Sequence, residues 1–321
     1  MSSTTPAPDP PLPFSLRLAG AVVILLGAAF VLAVATAGAF VALHLTLPRA
    51  TSSSSQTLPV GAAPALVLRG ATGDVRVLAG GDGEVRVDVT RKGRALTAQR
   101  AAEYMARHEV DITQADATVT VDSRATGGTA AGLDRMVGSS DVDITVWVPP
   151  ATAVDARLAN GDLILRWITG PVSATVVHGE VRLEAVRLSG ANSISTEYGD
   201  VTVDASLGPD ATLDVRVGFG DVRVVLPAAT DAVLDTQVGL GEVNVEGWPL
   251  AVRDVGGGQR AAGALGAGLE SAGPALRVQV RVGDAKVIAR DAPLTRPGTA
   301  PEGSRGSEEN PPSRRRELSR S

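Results

Sequence analysis

Apolar and polar residues alternate in a recurring pattern through the second half of the chain. Between residues 160 and 289 the same five-residue unit recurs: glycine, an acidic residue, an apolar residue, a residue that is polar in most copies, and a second apolar residue. Alternation of this kind predicts a half-buried β-strand with its apolar residues facing a core. The six copies begin at Gly161, Gly179, Gly199, Gly220, Gly241 and Gly283.

A second alternating segment precedes each unit. Residues seven, five and three positions before a glycine are apolar in three copies: Val154, Ala156 and Leu158; Val172, Ala174 and Val176; Leu213, Val215 and Val217. Each period therefore predicts two short strands that meet at the glycine–acid pair. Glycine suits this corner because it adopts positive φ angles without steric cost.

The spacing of the glycines predicts the architecture. Successive glycines are 18, 20, 21, 21 and 42 residues apart, the last step being two periods with one degenerate copy near Gly263. A period of about 20 residues is typical of repeat proteins, in which each unit buries its apolar face by stacking on a neighbour. We therefore predict an all-β fold, a β-solenoid with ladders of equivalent residues about 4.8 Å apart.

A long uncharged segment lies upstream of the repeat. Residues 18–43 carry no charge over 26 positions, which as a helix would span about 39 Å, more than the roughly 30 Å hydrocarbon core of a bilayer. We predict one transmembrane helix over residues 18–47, with the domain that follows outside the cytoplasm. A cleaved signal peptide stays open as the alternative, because Ala33-Val34-Ala35 fits a small-x-small cleavage pattern.

Composition divides the chain into five parts. We predict a short tail over residues 1–17, the membrane helix over 18–47, a Ser-rich stalk over 48–61, the repeat domain over 62–290, and a disordered Arg-rich tail over 291–321.

Two segments within the domain depart from the repeat. Arg94 to His108 has helical spacing and predicts an inserted helix or end cap. Gly256 to Gly273 is rich in glycine and alanine and predicts a surface loop that replaces one coil.

The residue inventory argues against several functions. The formal net charge is −5 and there is no cysteine, so disulfides and thiolate sites are excluded. A mildly acidic domain without a basic stripe is a poor candidate for binding nucleic acid. The chain holds three histidines, His44, His108 and His178, and no Gly-x-Ser-x-Gly elbow. We therefore predict no catalytic residues and no cofactor.

Two predicted ladders are the candidate sites. The acidic residues of the units fall at one corner: Asp162, Glu180, Asp200, Asp221 and Glu242. We expect their carboxylates to cap local backbone N–H groups; the alternative is a row of weak calcium sites, since calcium prefers carboxylate and carbonyl oxygens. The residues just before the glycines form the second ladder: His178, Tyr198, Phe219 and Leu240. We expect stacked rings that close one edge, with a ligand platform as the alternative.

The order of these segments resembles a known family. A leading Gly73-Asp74-Val75-Arg76-Val77 strand, an irregular insertion, a Val146-Trp147-Val148-Pro149-Pro150 strand and serial coils are similar to the bacterial β-strand-repeat domains called "putative adhesins". The resemblance covers about residues 62–290. It implies a β-solenoid often associated with the cell envelope and without an established enzyme activity, and it assigns no catalytic residues.

These observations favour a non-enzymatic, membrane-anchored protein of the cell envelope with a binding, adhesin-like domain. Its expected partners are the membrane, through the single span, and an envelope protein or cell-wall polymer. One alternative is a scaffold or regulatory partner of another membrane protein, since Gly20, Gly27 and Gly38 would allow close helix packing. A polysaccharide-active enzyme is the third candidate, disfavoured by the scarcity of aromatic residues.

Overall fold

The computed structural model describes residues 47–61, 63–81, 83–126, 139–266 and 273–291. In these ranges the chain forms 21 strands and one helix, and the strands belong to two sheets. The expected all-β class is therefore confirmed.

The first sheet has ten strands. In spatial order they are β1 (Arg49–Pro59), β4 (Glu84–Arg94), β7 (Ser139–Val148), β3 (Val75–Ala79), β9 (Leu163–Arg166), β11 (Val181–Leu188), β13 (Val201–Leu207), β15 (Val222–Pro227), β21 (Ala285–Arg290) and β17 (Val243–Glu246). Residues 49–59, which composition assigned to an exposed stalk, thus form the edge strand of this sheet.

The second sheet has eleven strands. In spatial order they are β18 (Val252–Val255), β19 (Gly258–Leu265), β16 (Ala232–Leu240), β20 (Ala275–Val282), β14 (Thr212–Phe219), β12 (Ala191–Tyr198), β10 (Val172–His178), β8 (Ala153–Asn160), β2 (Ala65–Thr72), β6 (Thr118–Ala125) and β5 (His108–Ala115).

The described chain divides into two compact units. The larger comprises residues 53–91, 108–126 and 141–291, and the smaller comprises residues 47–52, 92–107 and 139–140, apart from the undescribed positions within them.

The larger unit contains one hydrophobic core to which both sheets contribute. The alternation predicted from the sequence is confirmed, because Leu163 and Leu165 of the first sheet and Val154, Ala156 and Leu158 of the second are all buried in it. Between Val154, Ala156 and Leu158 the chain points Asp155 and Arg157 outward, so the sheet has one core face and one solvent face.

One buried amide interrupts the apolar face. Asn192 is 4% exposed, and its Oδ1 accepts a hydrogen bond from the backbone N–H of Val172 at 2.8 Å. Its Nδ2 donates to the backbone carbonyl of Thr212 at 3.1 Å. A buried polar group is stable when its hydrogen bonds are made, and here they join β10, β12 and β14.

The predicted β-solenoid is wrong. Strands enter the sheets out of chain order: β20 lies between β14 and β16, β21 lies between β15 and β17, and β2 lies between β8 and β6. Both sheets also carry strands outside the repeat, and the second sheet is mixed, because the pairs β5–β6, β16–β19 and β18–β19 are antiparallel. The chain therefore forms two large sheets and not a serial stack of coils.

The physical reason is that the units are interchangeable. Each offers the same alternating strand and the same corner, so hydrophobic pattern fixes which face is buried but not which unit lies beside which. Val222 and Val243 illustrate this. Both are buried, but Ala285 pairs with each of them and separates them.

The glycine- and alanine-rich segment is not the surface loop that was predicted. Residues 258–265 form β19, which pairs antiparallel with β16 from Ala232↔Leu265 to Val238↔Gln259. Residues 267–272 lie outside the described residues.

The smaller unit contains the predicted inserted helix, α1 (Ala98–Met105). Its N-cap is Thr97, whose Oγ1 accepts a hydrogen bond from the backbone N–H of Arg100 at 3.3 Å, as expected for a residue that satisfies a free N–H at a helix start. Ala101 and Tyr104 are its buried residues and pack with Ala95.

The structure corrects the expectation of a single-pass membrane protein. The predicted helix lies almost entirely in residues 1–46, which are outside the described ranges. In the part of the chain that the structure describes, no helix has the length and apolar character needed to cross a bilayer. A membrane span, a membrane partner and a cell-membrane location are therefore unsupported, and the tails at residues 1–17 and 292–321 also lie outside the described residues.

Candidate functional site

The glycine–acid corners form a continuous column. In spatial order its glycines are Gly73, Gly161, Gly179, Gly199, Gly220, Gly283 and Gly241. A Cβ atom added to Gly220 would lie 2.2 Å from the carbonyl oxygen of Gly199, and Gly220 has a φ of +144°. Close backbone contact and positive φ together explain why the corner requires glycine.

The aspartates of the corners cap the backbone of the neighbouring rung. The carboxylate Oδ1 of each accepts a hydrogen bond from the next acidic residue's N–H, at 2.8 to 3.2 Å: Asp74 from Asp162, Asp162 from Glu180, Asp200 from Asp221, Asp221 from Asp284, and Asp284 from Glu242. The sequence led us to expect capping within each corner. The structure instead places the capped group one rung away.

Glu180, one of the two glutamates of the column, binds a side chain and not the neighbouring backbone. The carboxylate of Glu180 binds the guanidinium of Arg182, and this hydrogen bond raises the pKa of Arg182.

A cation row at the corner was the alternative to capping. Within the described ranges there is no group of three or more histidine, aspartate or glutamate side chains that could hold a metal ion. The expected ladder of Asp162, Glu180, Asp200, Asp221 and Glu242 also has a different order, because Asp284 lies between Asp221 and Glu242.

The residues just before the glycines form an exposed apolar ridge. His178 stacks on Tyr198 with ring centroids 5.1 Å apart and planes 6° apart, and Tyr198 stacks on Phe219 at 5.2 Å and 4°. The register continues through Val282 to Leu240. We call these five residues the ridge. Because the rings stack on one another, they present their edges to solvent.

The ridge is unusually exposed for apolar side chains. Leu240 is 67% exposed, Tyr198 47% and Phe219 40%. Single exposed apolar residues are common on protein surfaces, whereas a contiguous row of them marks a binding surface more often.

A shallow cleft of about 440 Å³ lies beside the ridge, on the solvent face of the second sheet across β12, β14, β20 and β16. Its floor includes two glycines, Gly218 and Gly239, which have no side chain to fill it. A Cβ atom at Gly218 would lie 2.5 Å from the carbonyl oxygen of Glu197. The strand therefore needs glycine at position 218. The absence of a side chain there leaves the space that forms part of the cleft.

An ion pair crosses the floor of the cleft. Glu197 on β12 and Arg281 on β20 are separated by β14, and the Oε1 and Nη1 atoms are 3.4 Å apart. The missing side chain of Gly218 leaves room for this contact. The guanidinium carbon of Arg281 also lies 5.9 Å from the centre of the Phe219 ring, so a residue that lines the cleft lies next to a residue of the ridge.

The charges of the cleft are compensated. Arg281 pairs with Glu197, and Arg216 pairs with Asp214 on its own strand. The remaining polar groups include the exposed amides of Gln237 and Gln279, which are paired in register on neighbouring strands.

The arrangement can bind a ligand but offers little for catalysis. Glu197 is the one carboxylate among the residues that line the cleft, and it is engaged by Arg281. Hydrolysis of a glycosidic bond ordinarily uses a pair of carboxyl groups in an acid and a base or nucleophile role. The cleft does not provide that pair.

Sequence reasoning found the ridge but missed the cleft. The stacked order His178, Tyr198, Phe219 was expected, but Val282 separates Phe219 from Leu240. The cleft depends on β20, whose position outside chain order the pattern does not encode. One signal was present: Gly218 and Gly239 each lie two residues before a corner glycine, and a glycine inside a strand often marks a close approach.

Comparisons with known proteins give distant structural resemblances. No protein-family model matches the chain, and a search of curated proteins finds no match. Among solved structures, "a putative cell adhesion protein" from Clostridium sporogenes is 12% identical, with a TM-score of 0.41 and coverage of 74% of this chain and 100% of that one.

Two further solved structures are of the same kind. "A putative adhesin" from Bacteroides fragilis is 9% identical, with a TM-score of 0.39 and coverage of 74% and 97%. A "putative lipid binding protein" from Parabacteroides distasonis is 8% identical, with a TM-score of 0.28 and the same coverage. These values are too low to assign a ligand or an activity to the chain.

Proposed function

We propose that the chain is a non-enzymatic, adhesin-like binding module and that the cleft and the ridge together form its recognition surface. The observation that carries this proposal is the juxtaposition of an exposed apolar row with a charge-compensated cleft. Binding sites combine apolar contact area with a few convergent polar groups, and this surface offers both.

The scaffold supports a binding role. Each side chain of the surface projects from a strand in the interior of the sheet, and β14 is paired on both sides through seven residue pairs. Side chains on such strands are held in place before a ligand arrives, which lowers the cost of ordering them on binding.

The experiment compares the full chain with a Tyr198→Ala/Phe219→Ala variant on three kinds of surface. Fluorescently labelled protein is applied to a glycan array, a protein array, and supported bilayers of phosphatidylcholine with phosphatidylglycerol. We expect retention on members of one class and a loss of about tenfold in affinity, or 1.4 kcal/mol, in the variant.

Val233→Ala is the matched control, because Val233 is 42% exposed and lies at the opposite end of β16 from Leu240 of the ridge. Circular dichroism establishes that the variants are folded. Equal retention of the double variant and the control, or no retention of the full chain on any surface, would overturn the proposal.

A further inference from the structure

We infer that the ligand of this surface is an uncharged glycan chain, which lies along the cleft with its C–H groups against the ridge and its hydroxyl groups against the polar side chains. The inference rests on the proposed function and adds the chemical class of the ligand.

The charge of the cleft favours an uncharged ligand. Both guanidinium groups already have carboxylate partners, in Glu197–Arg281 and Asp214–Arg216. An anionic ligand would have to compete with these carboxylates for the arginines, so it would gain less from them than from cations without a partner. A ligand with only hydroxyl groups can hydrogen-bond to both members of each pair.

The polar side chains of the cleft have a shared geometry. Glu197, Arg216, Gln237, Gln279 and Arg281 all end in planar groups that present two polar atoms side by side. Neighbouring hydroxyl groups on a sugar ring offer two polar atoms at a similar separation, and two parallel hydrogen bonds of this kind fix the orientation of a ligand.

Three of these groups, Arg216, Gln279 and Gln237, form a row across the strands together with the hydroxyl of Ser195. Ser195 pairs with Arg216, Arg216 with Gln279, and Gln279 with Gln237 in the registers of β12, β14, β20 and β16. The row repeats at the strand spacing of about 4.8 Å and thus covers roughly 14 Å. The cleft therefore matches several units of a polymer better than a single sugar.

The ridge runs in the same direction, just beyond the residues that line the cleft. Tyr198, Phe219, Val282 and Leu240 occupy the same four strands, three residues further along each strand than the polar row. The polar lining of the cleft is thus bordered by an apolar row, which a polymer seated in the cleft would meet at its edge. A sugar ring has the same division, with C–H groups on its faces and hydroxyl groups at its periphery.

The position in the middle of the sheet disfavours a peptide strand. Peptides that bind by strand addition pair with the free backbone N–H and C=O groups of an edge strand. β14 and β20 each have a neighbour on both sides, so their backbone groups are used within the sheet and the cleft offers side chains only.

The experiment measures binding of the full chain to neutral hexasaccharides by isothermal titration calorimetry. The probes are cellohexaose, maltohexaose, mannohexaose and chitohexaose, with glucose as the single-sugar control and a polygalacturonate oligomer as the acidic arm. We expect at least one neutral hexasaccharide to bind, with little change in Kd at high salt because no net charge is neutralised. Glucose should bind at least about tenfold more weakly.

Variants connect this binding to the cleft. Gln279→Ala, which removes an exposed amide from the row, should weaken the hexasaccharide about tenfold. The control is Ser173→Ala, because Ser173 is an exposed polar residue on β10, outside the row. It should leave the Kd unchanged.

The outcomes separate the inference from the proposed function. Binding of a neutral hexasaccharide that Gln279→Ala weakens and Ser173→Ala does not would support both. Ridge-dependent binding to proteins or bilayers without binding of any neutral hexasaccharide would overturn the glycan inference and leave the binding module in place. Preference for the acidic oligomer would also overturn the inference. Absence of ridge-dependent binding on every surface would overturn both.

Discussion

At the scale of single residues, the corner column explains why aspartate recurs after glycine. In five corners the short aspartate side chain brings Oδ1 to within 3.2 Å of the N–H on the neighbouring rung. Glu180 has one more methylene and binds Arg182 instead. The aspartates of the column are therefore backbone caps.

The capping role predicts a graded effect of substitution at Asp200. Asp200→Ala would remove the acceptor for the N–H of Asp221, which is 2.8 Å away, and should lower the free energy of unfolding by about 1 kcal/mol. Asp200→Asn keeps an oxygen at this position and should cost less. Urea unfolding measures both values.

Glu242→Ala is the control for this series, since Glu242 occupies the last rung and receives its own cap from Asp284. It should change the free energy of unfolding by less than about 0.5 kcal/mol. Equal losses for Asp200→Ala and Glu242→Ala would contradict the capping role.

At the scale of strands, the sequence predicted which residues are buried much better than it predicted which strands are neighbours. Alternation identified the core positions of β8, β10 and β14 because a strand with one wet face leaves a period of two in the sequence. The order of the strands in the sheet cannot be read from this alternation, because every unit has the same period. The position of β20 between β14 and β16 could therefore not be predicted from the sequence.

In the candidate site, too, one part could be predicted from the sequence and another part could not. The stack of His178, Tyr198 and Phe219 was predictable because β10, β12 and β14 are neighbours in chain order and in space. The ion pair between Glu197 and Arg281 was not predictable, because it joins residues 84 positions apart in the chain. A site built on strands that are in chain order can be found from a repeat, and a site built on an inserted strand cannot.

Substitution by alanine should destabilise the protein to different extents at two glycines with positive φ, one inside the corner column and one outside it. At Gly220 a Cβ atom would meet the Gly199 carbonyl oxygen at 2.2 Å, whereas at Gly256 it would meet nothing within 4 Å. Gly220→Ala must displace backbone in the middle of the column and should cost several kcal/mol or prevent folding. Gly256→Ala should cost only about 1–2 kcal/mol, the penalty for a left-handed conformation.

Thermal unfolding followed by circular dichroism compares the two variants, and soluble yield reports a failure to fold. Since both substitutions add the same single methyl group, the difference between them isolates the close contact at the corner. A Tm for Gly220→Ala that equals or exceeds that of Gly256→Ala would show that the column is not packed as described.

At the scale of the whole molecule, the last described strands of the chain lie inside the sheets. β20 pairs with β14 on one side and with β16 on the other, each through seven residue pairs. β16, β18 and β19 are therefore joined to the rest of the second sheet only through β20, which follows all three of them in the chain. Contacts of this kind have long sequence separations, and topologies rich in them fold slowly.

This strand order predicts where amide hydrogens are protected from exchange. Edge strands open by local fraying, while strands paired on both sides exchange only in larger openings. Peptides that cover Ala275–Val282 should therefore exchange as slowly as those that cover Thr212–Phe219, and peptides that cover the edge strand Val252–Val255, all of whose residues are exposed, should exchange much faster. In a serial stack the segment at 275–282 would instead lie at the end and fray. Hydrogen–deuterium exchange read by mass spectrometry separates the two arrangements, and rapid exchange at 275–282 would show that β20 is not an interior strand.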